Sequence, residues 1–222
     1  MSAFAGRWSW PAALWVATLA AAIALTALAA REPTLPGDVR LAQEAQGWPL
    51  PHALADFIRA VTTTELAVGA GAALGGALWF AGARREGLAL LIAIAALPLL
   101  QSGLKELVDR PRPSPELVEL RAGFSSPSFP AGHVMSPALL YGYAAWLACR
   151  AGRVWLQVCV VLPCAAVLVL TGVVNVYLGV HWPSDVAGGY LWGLALLIPA
   201  AAAAGPPRHH VKSRGQAGRR RS

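Results

Sequence analysis

A chain of 222 residues that is 56% hydrophobic and only 13% charged, with a mean hydropathy of +0.52, holds too much apolar sequence for one ordinary soluble core. This composition excludes a simple water-soluble domain and predicts an integral membrane protein. The formal charge of +7 does not indicate nucleic acid, because the basic residues lie in short segments between apolar runs and in a tail.

A hydrocarbon layer about 30 Å thick needs roughly 20 apolar residues per helix. Residues 11–30, 60–82, 87–104, 134–149, 154–175 and 184–204 meet that need and are predicted as spans. The expected fold is all-α: a polytopic membrane protein with six transmembrane helices in a bundle and an extracytoplasmic active site. It forms a single domain over 1–207, followed by a basic, disordered cytoplasmic tail over 208–222.

In the first run, Ala27-Leu28-Ala29 has the form of a signal-peptidase site, but an uncleaved anchor fits the charge distribution better. Residues 31–59 mix Pro, Gly and charge with the pattern PHALADFIRAV, which reads equally well as a short interfacial helix or a plain connector. His52 falls there without a role. Glu65, near the outer end of the second run, either pairs with a base or reaches the interface. Small residues four apart, Gly71 with Gly75 and Gly189 with Gly193, predict close helix approach. Residues 105–133 carry Pro111, Pro113, Pro115, Pro127 and Pro130, and so form a folded loop rather than a continuous helix. Cys149, Cys159 and Cys164 have no ligand-like partners and read as small core residues.

Threading six spans puts Arg7, Arg84, Arg85, Arg150, Arg153 and the tail bases on one side, the cytoplasm by the positive-inside rule. Both termini are then cytoplasmic in the cell membrane. Lys105, Arg110, Arg112, Arg121, His133 and His181 fall on the opposite side. From His133 to His181 is 48 positions, enough for one helix of about 20 residues inward, a short turn and one outward. Both histidines therefore return to one membrane face.

Lys105 and Arg112 suit an oxyanion with more than one charge, phosphate above all, although the same pair would serve as headgroup anchors. Pro130-Ala131-Gly132-His133 precedes an apolar helix, so the N–H groups of Gly132 and His133 lie where an anion is favoured. His133 is then either beside a bound phosphate or a simple helix cap. Pro183 suits a first helical turn, and Asp185 lies about one turn beyond His181. As a partner for Nδ1, Asp185 would leave Nε2 unprotonated, which is how a histidine nucleophile is built; as a bare cap it would do nothing more. Together these parts predict covalent phosphoryl transfer. His181 attacks phosphorus, His133 protonates the leaving oxygen, and water activated by His133 cleaves the phosphohistidine. No metal or other cofactor is required, since the cations and the helix end supply the positive field.

These residues resemble the type 2 phosphatidic acid phosphatase superfamily, which includes the vanadium haloperoxidases. Its blocks are Lys, six residues, Arg-Pro; then Pro-Ser-Gly-His; then Ser-Arg, five residues, His, three residues, Asp. The resemblance covers about residues 38–200, and its first block is intact from Lys105 to Arg112-Pro113. It implies a metal-independent membrane phosphatase that hydrolyses a lipid phosphomonoester or diphosphate. Phosphatidic acid, phosphatidylglycerol phosphate and undecaprenyl pyrophosphate are the substrate types. The implied partners are the phosphorylated lipid and the bilayer, with no nucleic acid.

By that resemblance Lys105 and Arg112 bind phosphate, His133 is the general acid, His181 the nucleophile and Asp185 its orienting carboxylate. Two positions depart from the pattern. Ala131 replaces the serine, and Val174-Asn175 replaces Ser-Arg. The backbone at Gly132 and the Asn175 amide remain as donors, and Arg110 or Arg121 in the same loop is a source for the missing charge. The alternatives are a lipid phosphotransferase using the same intermediate, and a catalytically weakened phospholipid-binding relative in which Asn175 replaces the family arginine. A transporter would place its ionisable residues near the bilayer midplane rather than at one end of the helices.

Overall fold

A computed structural model describes residues 9–205. Arg7 and the basic tail expected over 208–222 lie outside the described residues. Helix α1 (Ser9–Ala29) is followed by two short helices, α2 (Asp38–Gln46) and α3 (His52–Val61). Next come α4 (Thr64–Phe80) and α5 (Arg84–Val108). A long loop leads to α6 (Gly132–Arg150). Then α7 (Val154–Leu156) runs through a π-turn (Gln157–Val161) into α8 (Leu162–Tyr177), and α9 (Pro183–Ala203) closes the order. No strand occurs among the described residues.

Among the described residues four segments are long and apolar enough to cross a bilayer: Pro11–Ala29, Arg84–Val108, Val154–Tyr177 and Pro183–Ala203. The pair α3 and α4, bent by 49°, adds a fifth if it counts as one broken span. The sixth expected span, 134–149, corresponds to α6. It is 19 residues long, but His133, Ser136, Pro137, Tyr141, Tyr143 and Arg150 lower its apolarity. The physical reason is its position, since Val134, Met135, Leu139 and Tyr143 are fully enclosed by protein rather than turned toward lipid.

The stretch 31–59 folds into two helices rather than one. Its second, α3, packs Ala55 and Ile58 against Val174, Tyr177, Leu178 and Val180. The proline-rich loop begins later than expected, because α5 continues past Lys105 to Val108 and ends on Asp109 in a left-handed conformation (φ 43°). Aspartate tolerates that conformation better than most residues. Of the three cysteines only Cys164 is a core residue; Cys149 and Cys159 are exposed.

The main core joins α1, α5, α6 and α9 through Leu90, Leu97, Met135, Leu139 and Tyr143. Helix α1 is tied to α9 by Trp15 Nε1 donating to the Ala195 carbonyl at 2.9 Å and Trp192 Nε1 donating to Thr26 Oγ1 at 3.0 Å. The paired small residues do bring helices together. A Cβ on Gly193 would lie 2.5 Å from that of Ala138, and one on Gly87 would lie 2.5 Å from the Gly75 carbonyl and 2.8 Å from the Trp79 nitrogen. Both obstacles at Gly87 are backbone, so a methyl group there must push α4 and α5 apart. Gly87→Ala is expected to destabilise the protein by about 1–3 kcal/mol. Gly103→Ala, which meets nothing within 4 Å, should be near neutral. Thermal unfolding in detergent distinguishes the two.

Candidate active site

Three helix ends and the proline-rich loop meet at one end of the bundle. Helix α5 brings Lys105 on its last turn, α6 brings Gly132 and His133 on its first, and α9 opens with Pro183 and carries Asp185. His181 lies on the short turn between α8 and α9, where Gly179 adopts a positive φ of 67°. The loop rests on this turn through the Arg121 N–H, which donates to the Leu178 carbonyl at 3.0 Å.

The two expected phosphate cations share one loop residue. Lys105 Nζ donates to the Pro127 carbonyl at 2.5 Å and to Ser126 Oγ at 3.3 Å. Arg112 donates from Nε to the Ser126 carbonyl at 2.7 Å, and from Nη2 to Ser126 Oγ at 3.2 Å. Arg112 Nη1 reaches the Val180 carbonyl at 2.5 Å and His181 Nε2 at 3.4 Å. A guanidinium has no lone pair to offer, so a hydrogen bond here requires an unprotonated Nε2. Burial pushes the His181 pKa below the ordinary histidine value, opposed by the carboxylate of Asp185. Burial also lowers the Arg112 pKa to about 10, which leaves it charged at neutral pH, with Asp185 pulling the other way.

His181 is 1% exposed and Asp185 is fully buried. Their separation, 3.7 Å from Nδ1 to Oδ2, is longer than a hydrogen bond, and Nδ1 has no other partner among the described residues. The expected orienting contact is thus aligned but not closed. Asp185 Oδ2 is already occupied, accepting from the Trp182 N–H at 2.8 Å and from the Ser128 hydroxyl. The first of these is the backward bond of a helix-start carboxylate, so the cap role and the placement beside histidine coexist.

Beneath this lies Arg110, which is 1% exposed. It donates from Nη1 to Asp185 Oδ1 at 2.6 Å and to Ser184 Oγ at 2.7 Å, and from Nη2 to Asp38 Oδ2 at 2.8 Å. Asp38 in turn accepts from the Ser184 N–H and hydroxyl. This network ties α2, the loop and the start of α9 together.

Phe124 forms the opposite wall. Its ring meets His133 edge-on at 5.4 Å between centroids and His181 at 6.4 Å. The Arg112 guanidinium stacks on it at 4.7 Å. The structure therefore gathers Lys105, Arg112, His133, His181 and Asp185 around one space, with buried Gly132 at the adjoining helix start. Two other expected phosphate contacts are engaged elsewhere. Asn175 is 1% exposed and donates its amide to the Thr171 carbonyl of its own helix at 2.7 Å. Arg121 pairs with Glu119 at 2.7 Å, donates to the Gln46 carbonyl and stacks over Tyr177 at 4.2 Å.

Ser126, Ser128, Phe124 and Asp38 were not singled out from sequence. The serines flank a proline in a loop of ordinary turn composition, and Asp38 is 72 positions from Arg110. The only available signal was the density of Ser and Pro between two cationic positions.

The sequence model of the PAP2 superfamily matches residues 86–205, more than half of the chain, and the chain belongs to that superfamily. It is 35% identical over 131 residues to phosphatidylglycerophosphatase B of Bacillus subtilis (strain 168), a match spanning 56% of this chain and 61% of that relative's length. The crystal structure of a transmembrane PAP2-type phosphatidylglycerolphosphate phosphatase from Bacillus subtilis superposes with a TM-score of 0.72 at 25% identity, covering 85% of this chain and 94% of that one.

Removing the charge at Arg110 would leave Asp38 and Asp185 buried without their common partner. Arg110→Met is expected to cost about 3–5 kcal/mol of stability. Adding Asp38→Asn should recover part of that loss, a non-additivity visible in thermal unfolding of the single and double variants.

Proposed function

We propose that this protein is a membrane lipid phosphatase that hydrolyses a phosphomonoester or diphosphate of a lipid through a phosphohistidine on His181. The observation that carries this reading is the convergence of Arg112 Nη1 on His181 Nε2 at 3.4 Å, with Lys105 joined to Arg112 through Ser126. A nucleophilic nitrogen beside two cations matches a group that is both electrophilic and multiply anionic, which is a phosphate ester.

In the first step the His181 Nε2 lone pair forms a bond to phosphorus as the bond from phosphorus to the lipid oxygen breaks. His133 gives its proton to that oxygen. A water then loses a proton to His133 and attacks the phosphohistidine, breaking the P–N bond and releasing inorganic phosphate. Lys105, Arg112 and the backbone at Gly132, at the amino end of α6, balance charge on the equatorial oxygens. Asp185 closes on the Nδ1 proton as positive charge develops on the imidazole, since such contacts tighten in the reacting complex.

A lipid substrate is supported by the apolar surroundings as well as by the relatives. A groove of about 580 Å³ lies between α2, α8 and α9, lined by residues such as Leu41, Trp48, Val169, Val176 and Tyr190, and it reaches Pro183 at the start of α9. An acyl or prenyl chain fits such a lining. The Bacillus subtilis relatives act on phosphatidylglycerol phosphate by name, which makes that lipid the first to test, followed by phosphatidic acid and undecaprenyl pyrophosphate. In the same reading the chain crosses the membrane six times, α6 being the enclosed span, over a single domain at 1–207. The site opens on the extracytoplasmic face, and both termini, with the basic tail over 208–222, lie in the cytoplasm.

Purified protein given phosphatidylglycerol phosphate in the presence of chelator should release phosphate, and His181→Ala should lower the rate by at least about 10³-fold. Release that survives in the variant would sink the assignment of the nucleophile. The pH profile is a separate check. A His181 pKa held low by burial keeps Nε2 unprotonated below roughly pH 6.5, the value of a free imidazole, so the acid limb of kcat/KM should lie under that value. The unfolded chain binds the extra proton first, so His181 makes stability fall as pH drops through the ordinary histidine range toward its folded value. An acid limb above pH 7 would contradict this environment.

A further inference from the structure

The phosphate site lacks the guanidinium that the superfamily pattern places where Asn175 stands, and the two loop arginines that could replace it are committed. Arg110 is enclosed between Asp38 and Asp185, and Arg121 is held by Glu119 and Gln46 over Tyr177. A third guanidinium reaches the site from an unexpected element. Arg59 lies on α3, and its guanidinium carbon stands 5.0 Å from the centroid of Phe124, the ring that also carries Arg112 at 4.7 Å and meets His133 at 5.4 Å. One aromatic ring thus bears two guanidinium groups beside both histidines.

The placement is built rather than incidental. Ile58, the preceding residue, is 1% exposed and packs with Ala55 against α8 and the turn before His181. Tyr141 on α6 donates to the Val61 carbonyl at 2.7 Å, and Thr62 bonds back to the Ile58 carbonyl at 2.7 Å, so the end of α3 is fixed on both sides. Among the described residues Arg59 has no carboxylate within ion-pair distance. Arg59 and Arg112 both stand over Phe124 beside His133, and a dianion bound next to that ring is the chemistry that would draw on both.

We infer that Arg59 is a phosphate-binding residue of this site, supplying from α3 the charge that Asn175 does not supply from α8. The inference rests on the phosphatase reading above. It makes α3 a part of the phosphate site and couples its seat on α8 to recognition of the substrate headgroup.

The test combines phosphate release with binding of orthovanadate, a phosphate analogue, measured on wild type, Arg59→Gln, Arg59→Lys, Arg40→Gln and His181→Ala. Arg40 is an exposed residue of α2 paired with Glu44, so its variant controls for loss of surface charge at the same end. Arg59→Gln should lower kcat/KM at least about tenfold, with up to 10³-fold if the contact is made chiefly in the transition state. It should weaken orthovanadate by about tenfold, at an unchanged unfolding temperature, while Arg40→Gln stays near wild type. Arg59→Lys should retain part of the vanadate affinity, and added guanidinium ion should restore part of the Arg59→Gln rate but none of the His181→Ala rate.

If Arg59→Gln loses stability, orthovanadate binding is measured below its unfolding transition, and affinity equal to wild type in that folded variant overturns the inference. Arg59 variants within twofold of wild type, with His181→Ala inactive, would overturn the role of Arg59 and leave the phosphatase standing. A wild-type protein that neither releases phosphate nor binds orthovanadate would overturn both.

Discussion

Arg110 is a cation placed where water does not reach, and its two carboxylate partners come from α2 and α9, elements far apart in sequence. A buried guanidinium is tolerable only while both partners and the supporting serines stay in place, so the network enforces the meeting of the loop, α2 and the start of α9. That meeting determines where Asp185 sits. Because Ser128 and the Trp182 N–H also donate to Asp185, the carboxylate is held from three directions and His181 must pack against a fixed neighbour.

Above this base the site holds positive charge that neutral oxygen atoms, not carboxylates, accept. Lys105 and Arg112 converge on Ser126 and its neighbouring carbonyls, so both cations already point at oxygen atoms. A phosphate that takes over these contacts exchanges neutral acceptors for charged ones, which are stronger partners by roughly twofold. In the proposed reading the loop is both scaffold and competitor, and substrate affinity would depend on how readily Ser126 yields. The 3.7 Å gap between His181 and Asp185 fits the same description of a site that is positioned but completed only when charge develops on the imidazole.

Much of this was legible in the sequence because the reactive residue types stand at the ends of apolar runs, where few other polar groups compete for attention. His133, His181, Lys105 and Arg112 were placed on one face by helix length alone, and the structure brings them together. Lys105 was expected in the loop and instead ends a helix, because helix-breaking begins only after Asp109. Asn175 was expected to face phosphate, but a small amide near a helix end can satisfy itself on the carbonyl four residues back, and it does. Arg110 and Arg121 read identically as loop cations. Only the tertiary contacts separate them, since a partner such as Asp38 on another helix leaves no trace in local pattern. Arg59 was hidden for a related reason, as the residues from 31 to 59 carry an amphipathic signal equally consistent with a connector. The number of spans was read from apolarity, whereas among the described residues four helices, or five with the bent pair, are long and apolar enough to span, and α6, enclosed by protein, carries polar residues that a lipid-facing helix could not.

The central claim is that His181 becomes covalently phosphorylated. It is tested most directly by quenching the wild-type protein in alkaline denaturant during turnover of a phosphate-labelled lipid. The account predicts an acid-labile, base-stable label that maps to His181 and is absent when His181 is replaced. Phosphate released at the wild-type rate with no label on His181, in a protein that remains folded, would contradict it.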